Sequence, residues 1–217
     1  MTYNIIGTGS SGNAVMLGEH ILIDCGVSWK QLAPLAKDIR LVLLTHQHGD
    51  HFKAKTVARM ADERPLIRWC CCKWMVPLLM DAGVDGMKID IASPGFSLRY
   101  DNLAVVRPEE VMHDVPNCCW HIDINGYKVF YVTDAGHLQG ITAKDYDLYM
   151  IEANHTREEI KRRAEEKAAR GQYSYEYRAA QNHLSFEQAN DWLVNNAADY
   201  SRICYLHQHR DKERNMG

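Results

Sequence analysis

A tight group of metal-binding side chains follows the apolar run Leu41–Leu44. It comprises His46, His48, Asp50 and His51. Imidazole and carboxylate groups are the usual protein ligands of zinc, manganese and iron. Residues two apart on an extended segment point the same way, so His46 and His48 can bind one metal ion. The chain is expected to turn beyond Gly49, which would direct Asp50 and His51 towards a second ion.

Further candidate ligands follow other predicted strands. His113 comes after one strand, Asp134 after another, and His207 ends the last one. In layered folds, binding residues gather where the ends of several strands converge at one edge of the sheets. These three residues are therefore candidates to complete the centre that begins at His46.

The N-terminal half is predicted to alternate short strands with short helices. The run Leu41–Leu44 is apolar throughout, as in a strand that is buried on both faces. The expected strands are Tyr3–Ile6, Ala14–Leu17, Ile21–Asp24, Leu41–Leu44 and Pro65–Cys71, and the expected helices are Lys30–Lys37, Ala54–Glu63 and Lys73–Asp81.

The C-terminal half is predicted to be richer in strands. Asn125 and Gly126 indicate a tight hairpin turn. The expected strands are Met87–Ile91, Phe96–Tyr100, Ala104–Arg107, Cys118–Ile124, Lys128–Thr133, Asp147–Ile151 and Ile203–Leu206, and the expected helices are Arg157–Arg170 and Phe186–Asn196. Strands in both halves with helices between them predict two sheets inside two helical layers, in one domain over residues 1–217.

Composition sets limits on the location and partners of the chain. No apolar run approaches the roughly 20 residues that a membrane helix needs, and the N-terminus lacks the pattern of a signal peptide, so we expect a cytoplasmic protein with no membrane partner. The seven cysteines include no Cys-x-x-Cys spacing, which favours buried, reduced thiols. Because the formal net charge is −3, a nucleic acid would have to be attracted locally, by metal ions or a basic patch.

The motifs together resemble a known family. The run Thr45–His51 matches the HxHxDH signature of the metallo-β-lactamase superfamily. The supporting motifs occur in the expected order at Gly7–Asn13, Ile23–Gly26, His113–Asp114, Thr133–Gly136, Glu152–His155 and His183–Ser185. The set is similar to the YycJ/WalJ branch, whose members are described as metal-dependent DNA exonucleases. This resemblance implies an αββα sandwich, a mixed α/β fold, and two divalent metal ions, zinc or manganese.

The resemblance also implies a role for each ligand. The first metal would be held by His46, His48 and His113, the second by Asp50, His51 and His207, and Asp134 would bridge them. Asp24 resembles an aspartate that orients a ligand imidazole; alternatively, it caps a turn. The last strand departs from the family pattern, because His207 is followed by a second histidine, His209, that competes for the same role.

His183 bears on the substrate. It lies two residues before Ser185, the expected N-cap of a helix, and a helix N-terminus suits a phosphate. There, His183 could bind a phosphate oxygen or protonate the leaving alkoxide; alternatively, it is a further metal ligand, as in thioester-cleaving relatives. Glu152 is expected to position His183, while Asn154, His155 and Ser185 either contact the substrate or ligands or serve as structural hydrogen-bonding groups.

The favoured hypothesis is hydrolysis of a phosphodiester in nucleic acid by a metal-activated hydroxide. Asp50, Asp134, His183 and Glu152 are the expected catalytic residues. The resemblance favours DNA over RNA and 5′-to-3′ exonuclease action. The alternatives are hydrolysis of a small thioester, lactone or cyclic phosphodiester on the same centre, and a non-catalytic metal-binding protein. A homodimer stays open. The segment from Arg157 to Arg178 either contacts DNA or is a solvated helix followed by a packed aromatic loop.

Overall fold

Two six-stranded sheets lie face to face in the computed structural model, which describes residues 1–172 and 176–208. The first sheet has the order β1-β2-β3-β4-β5-β6, and the second has the order β12-β11-β10-β9-β8-β7. The strands of the first sheet are β1 (Tyr3–Gly7), β2 (Ala14–Leu17), β3 (Ile21–Ile23), β4 (Leu41–Leu44), β5 (Arg68–Cys72) and β6 (Ile89–Ala92). Those of the second are β7 (Leu98–Tyr100), β8 (Ala104–Val111), β9 (Asn117–Ile124), β10 (Tyr127–Val132), β11 (Leu148–Glu152) and β12 (Arg202–Leu206).

Among the described residues, six α-helices flank the two sheets. They are α1 (Trp29–Ala36), α2 (Ala54–Glu63), α3 (Val76–Asp81), α4 (Arg157–Ala169), α5 (Glu176–Asn182) and α6 (Phe186–Val194). Strand β4 shows the layering, because Leu41 and Leu43 join the core between the sheets, whereas Val42 and Leu44 pack in the core that includes α1–α3. A third core joins the second sheet to α6. The predicted αββα sandwich is confirmed.

The arrangement of parallel strands determines where the site lies. Strands β3 to β6 run parallel in the first sheet, and β10 to β12 run parallel in the second. Residues that follow the carboxyl ends of these strands therefore share one edge of each sheet.

Several element boundaries differ from the prediction. Strand β8 continues past Arg107 to Val111 through Pro108, which pairs with Trp120. Its partner β7 reaches only Val106, so the missing N–H of Pro108 faces the open side of the sheet, where a strand tolerates proline. Residues Gly86–Lys88 form a 3₁₀ turn rather than the start of a strand.

Two further differences concern helices. The predicted helix over Lys73–Asp81 begins with a 3₁₀ turn and continues as α3, with Pro77 in its first turn, where no N–H is needed. Helix α5 was not predicted. Tyr173–Tyr175 and the alternative ligand His209 lie outside the described residues.

The cysteines and the charged helix agree with the predictions made for them. All seven cysteines are free thiols, and six of them are buried. Helix α4 carries exposed ion pairs between residues four apart, including Arg162 with Glu166 at 2.8 Å. Within the described ranges, no helix has the length and apolar character that crossing a bilayer requires.

Candidate metal centre

Three candidate site residues leave their strands in a left-handed backbone conformation. Asp24, Asp134 and His207 have φ angles of 60°, 55° and 52°. Side chains other than glycine seldom adopt this conformation, and such residues cluster at functional sites because the surrounding structure must hold them there. The strained turns bring side chains from both sheets to one edge.

The first expected ligand group is assembled. Ligand atoms of His46, His48 and His113 lie within 4.8 Å of one another. His113 Nδ1 lies 3.1 Å from the carbonyl oxygen of Asn182, an arrangement that assigns the proton to Nδ1 and leaves Nε2 for a metal. Burial lowers the pKa of His46 and keeps its imidazole neutral, as a ligand must be.

The second expected group is assembled as well. Asp50, His51 and His207 also place their ligand atoms within 4.8 Å of one another. His51 Nδ1 lies 2.7 Å from Asp24 Oδ2, and the Asp24 side chain is fully buried. Thr45 donates both its backbone N–H and its hydroxyl to that carboxylate. Asp24 therefore holds the His51 ring in place through Nδ1.

Asp134 lies between the two groups. Its Oδ2 is 2.7 Å from His51 Nε2, and its Oδ1 is 3.7 Å from His207 Nε2. His46, His51 and Asp134 also form a set of ligand atoms within 4.8 Å of one another. The carboxylate is thus within reach of both groups, as a bridging ligand must be.

Glu152 is buried behind the ligands and is the centre of a hydrogen-bond network. Its Oε1 lies 2.7 Å from His183 Nδ1 and 3.1 Å from His207 Nδ1. Its Oε2 accepts from the backbone N–H groups of Ala135 and Leu184, each at 3.1 Å. Burial alone would raise the pKa of Glu152, but hydrogen bonds from the two imidazoles hold it below its usual value. Glu152 does not reach the cavity and instead orients two histidines.

His183 stands beside His207 at the start of the segment leading into α6. The two rings are stacked, with centroids 5.3 Å apart and an angle of 11° between their planes. Burial alone would lower the pKa of His183, but the Glu152 carboxylate outweighs it and raises the pKa. With Nδ1 directed at Glu152, Nε2 is the ring nitrogen left for a ligand.

The remaining expected residues have structural contacts. Asn154 donates to the carbonyl oxygen of His207 at 3.0 Å. Ser185 is buried and caps α6 by accepting from Gln188 N at 3.1 Å. His155 is buried, and its carbonyl accepts from Phe186 N. His155 and Ser185 do not line the cavity described below, so the expected substrate contact is not seen for either.

Two residues that shape the site were not identified from the sequence. Asn13 is buried, donates its backbone N–H to Asp50 O at 2.6 Å, and places Nδ2 2.8 Å from His51 Nε2. Gly26 packs so tightly that a Cβ there would lie 1.7 Å from Asp50 O. Both occur in motifs that the sequence singled out, Gly7–Asn13 and Ile23–Gly26, but their contacts are with a distant loop.

A cavity of about 290 Å³ opens over this cluster. It is lined by Ser10, His48, Asp50, His113, Asp114, Asp134, Arg178, Asn182, His183 and His207. A larger cavity of about 550 Å³, beside the β7–β8 and β9–β10 turns, is lined by none of the candidate ligands. The smaller cavity is therefore the candidate active site.

The donor set fits divalent metal ions. His46 Nε2 and His207 Nε2 are buried and have no hydrogen-bond partner among the described residues. Although burial opposes charge on His51, Asp134 and Asp24 raise its pKa to about 10, which shows that the site favours positive charge. Imidazole and carboxylate groups in a field that favours positive charge are the features of a site for divalent metal ions.

Sequence comparison agrees with this geometry. A family model described as "Beta-lactamase superfamily domain" matches residues 19–207. Two curated proteins, both named exodeoxyribonuclease WalJ, from Streptococcus pneumoniae strains D39 and R6, are 26% identical to this chain, covering 99% of it and 83% of their own length.

Solved structures share the fold. The metallo-β-lactamase fold protein YhfI from Bacillus subtilis superposes with a TM-score of 0.72 at 15% identity, covering 96% of this chain and 86% of that one. Human tRNase Z, short form, gives a TM-score of 0.66 at 17% identity, covering 96% and 93%. At these identities the likeness concerns the fold alone.

Fold, ligand clusters and family match define a metal-dependent hydrolase. The chain belongs to the β-lactamase superfamily and has the metallo-β-lactamase fold. Within that superfamily it is similar to the WalJ branch, as its motifs predicted.

Proposed function

We propose that this protein is a two-metal phosphodiesterase that removes nucleotides from the end of DNA, in the 5′-to-3′ direction. The observation that carries the proposal is the placement of His183. It lines the same cavity as both ligand groups, and buried Glu152 fixes its Nδ1 at 2.7 Å. The similarity to exodeoxyribonucleases over nearly the whole chain supports DNA as the substrate.

The proposed ligands fall into two sets that share one carboxylate. His46, His48 and His113 would hold one ion, Asp50, His51 and His207 would hold the other, and Asp134 would be shared by the two sets. When bound, the two ions, zinc or manganese, supply Lewis acidity and lower the pKa of water towards neutrality.

The chain's own residues orient the reactants and move the proton. Asp50 and Asp134 accept hydrogen bonds from the attacking water and align it with phosphorus. As the new oxygen–phosphorus bond forms and the bond to the leaving oxygen breaks, the proton of the water passes to one of these carboxylates. His183 donates its Nε2 proton to the leaving oxygen. Glu152 stabilises the positive charge on that imidazole, which is why the pKa of His183 is raised despite burial.

The size of the cavity supports action at a strand end. Its volume of about 290 Å³ lies just below the usual range for ligand pockets, roughly 300–1,000 Å³. A terminal nucleotide entering such a cavity is easier to accommodate than the middle of a duplex. The small volume therefore favours an exonuclease.

The test is hydrolysis of end-labelled DNA and RNA, single- and double-stranded, by the protein loaded with manganese or zinc. We expect stepwise release of nucleotides from DNA. His183→Ala should lower kcat by about 100-fold, the order of one general acid, and keep the full metal content. The proposal fails if no nucleic acid is cut with either metal, or if His46→Ala is as active as the wild type.

A second candidate is hydrolysis of a small thioester or lactone. The observation in its favour is that Asp134, Glu152, His183 and His207 also place ligand atoms within 4.8 Å of one another. His183 would then be a metal ligand. In that case His183→Ala would lose metal, and a panel of small esters would be cleaved in preference to DNA.

A further inference from the structure

Arg178 is the cationic side chain at the mouth of the cavity. It lies on α5, the helix that directly precedes His183, and its side chain is 70% exposed. Its Nη2 donates to Asp114 Oδ2 at 2.8 Å. Among the described residues, Arg178 is the only lysine or arginine that lines this cavity.

Asp114 connects this arginine to the first ligand group. Its other oxygen, Oδ1, lies 3.3 Å from His48 Nε2 and 3.3 Å from His113 Nε2. The guanidinium of Arg178 is therefore one carboxylate away from the proposed metal ligands. That separation places it beside, and not on, a phosphate that binds at the centre.

The ion pair between Arg178 and Asp114 can be replaced by a contact between Arg178 and a phosphate. An exposed ion pair adds little net stability because water screens the charges, so Arg178 can leave Asp114 at little cost. A guanidinium binds a phosphate through two parallel hydrogen bonds, a geometry that lysine cannot match. Asp50, Asp114 and Asp134 also line the cavity, so a cationic side chain at its mouth lowers the repulsion that an incoming polyanion meets.

We propose that Arg178 exchanges Asp114 for the phosphate next to the scissile one and so makes the site selective for oligonucleotides over isolated phosphodiesters. This role rests on the proposed nuclease function. Arg178 is a specificity-determining residue in this account, since it binds a phosphate that does not react.

The test compares Arg178→Ala and Arg178→Lys with a matched control, Arg59→Ala. Arg59 is also exposed and paired with a carboxylate, Glu63, but lies on α2 and does not line the cavity. The substrates are single-stranded DNA with a 5′-phosphate, the same DNA with a 5′-hydroxyl, and bis(p-nitrophenyl) phosphate, which has no neighbouring phosphate.

Arg178→Ala should raise KM for DNA about tenfold or more, the size of one charge-assisted contact, and change kcat by less than about twofold. The slope of log affinity against log salt should fall by about 0.7, one phosphate contact on a single strand. Arg178→Lys should recover part of the loss, whereas Arg59→Ala and the hydrolysis of bis(p-nitrophenyl) phosphate should be unaffected.

Each outcome decides the proposal. A loss confined to 5′-phosphorylated DNA identifies the bound group as the terminal phosphate, and a loss on both DNAs identifies an internal one; either supports the role. An unchanged KM for DNA, or an equal loss on bis(p-nitrophenyl) phosphate, overturns it while leaving the nuclease proposal intact. Failure of the wild-type protein to cut DNA overturns both.

Discussion

Replacing Gly26 by alanine should displace the proposed second metal site. A Cβ at Gly26 would lie 1.7 Å from Asp50 O, 2.2 Å from Asp50 C and 2.8 Å from His51 N. Real Cβ contacts are essentially never shorter than 3.0 Å, so the Asp50 backbone must move by about 1.3 Å. The displaced atoms are backbone, which cannot rotate out of the way as a side chain can.

A shift of this size acts on two proposed ligands at once. Misplacing reacting groups by about 1 Å costs roughly 100-fold in rate, and overpacking costs about 1–3 kcal/mol of stability. For Gly26→Ala we expect kcat on bis(p-nitrophenyl) phosphate to fall about 100-fold. We also expect the content of the second metal, measured by elemental analysis, to fall.

Gly49 provides a matched control within the same loop. A Cβ at Gly49 would meet nothing within 4 Å, and its φ is not in the left-handed region. Gly49→Ala should therefore keep kcat within about twofold of the wild type. The reasoning is refuted if Gly26→Ala retains full activity and metal content, or if the two variants lose activity equally.

Three further changes distinguish effects on activity from effects on the stability of the fold. Glu152→Gln removes the negative charge of the carboxylate that contacts both His183 and His207. We therefore expect kcat to fall about 10- to 100-fold in steady-state assays, and an unchanged kcat would exclude the positioning role. Tyr149→Phe removes a buried hydroxyl that accepts from Tyr146 N at 3.0 Å and does not line the cavity. Urea unfolding should show a loss of about 1–3 kcal/mol with kcat unchanged, and a loss of activity at full stability would contradict this. Metal removal by a chelator should lower the Tm. Ions that bind only the folded chain, at 100 times their Kd, stabilise it by about 2.7 kcal/mol, so an unchanged Tm would mean that the ions do not stabilise the fold.

Much of the centre could be predicted because its residues follow strands. Apolar runs revealed the strands, and His113, Asp134 and His207 come directly after them. Since carboxyl ends of parallel strands share an edge, the sequence order was enough to predict that these side chains lie close together. Their assembly with His46 and His51 in one cluster agrees with that prediction.

The remaining features depend on contacts between residues far apart in sequence. Arg178 meets Asp114 across 64 positions, and Asn13 meets His51 across 38. Neither pair produces a local sequence pattern, because each residue alone is indistinguishable from an ordinary polar residue of a surface or loop. The need for Gly26 also comes from another segment, the Asp50 loop, so its own turn does not reveal it.

The orientation of side chains was a further limit. Within the motif Glu152–His155, Glu152 was expected to position His183, and it does contact His183 Nδ1 at 2.7 Å while accepting from the backbone N–H groups of Ala135 and Leu184. The substrate contact considered for His155 is not seen. His155 is buried beside the start of α6. Sequence spacing can place residues on a segment, but packing decides which side faces the cavity.

The most direct test of the account is the rate of DNA hydrolysis measured against the number of metal ions bound per chain, as ions are added back to stripped protein. If both ions take part in the reaction, activity stays low with one ion and rises as the second is bound. Full activity at one ion per chain, or no hydrolysis at two, would contradict it.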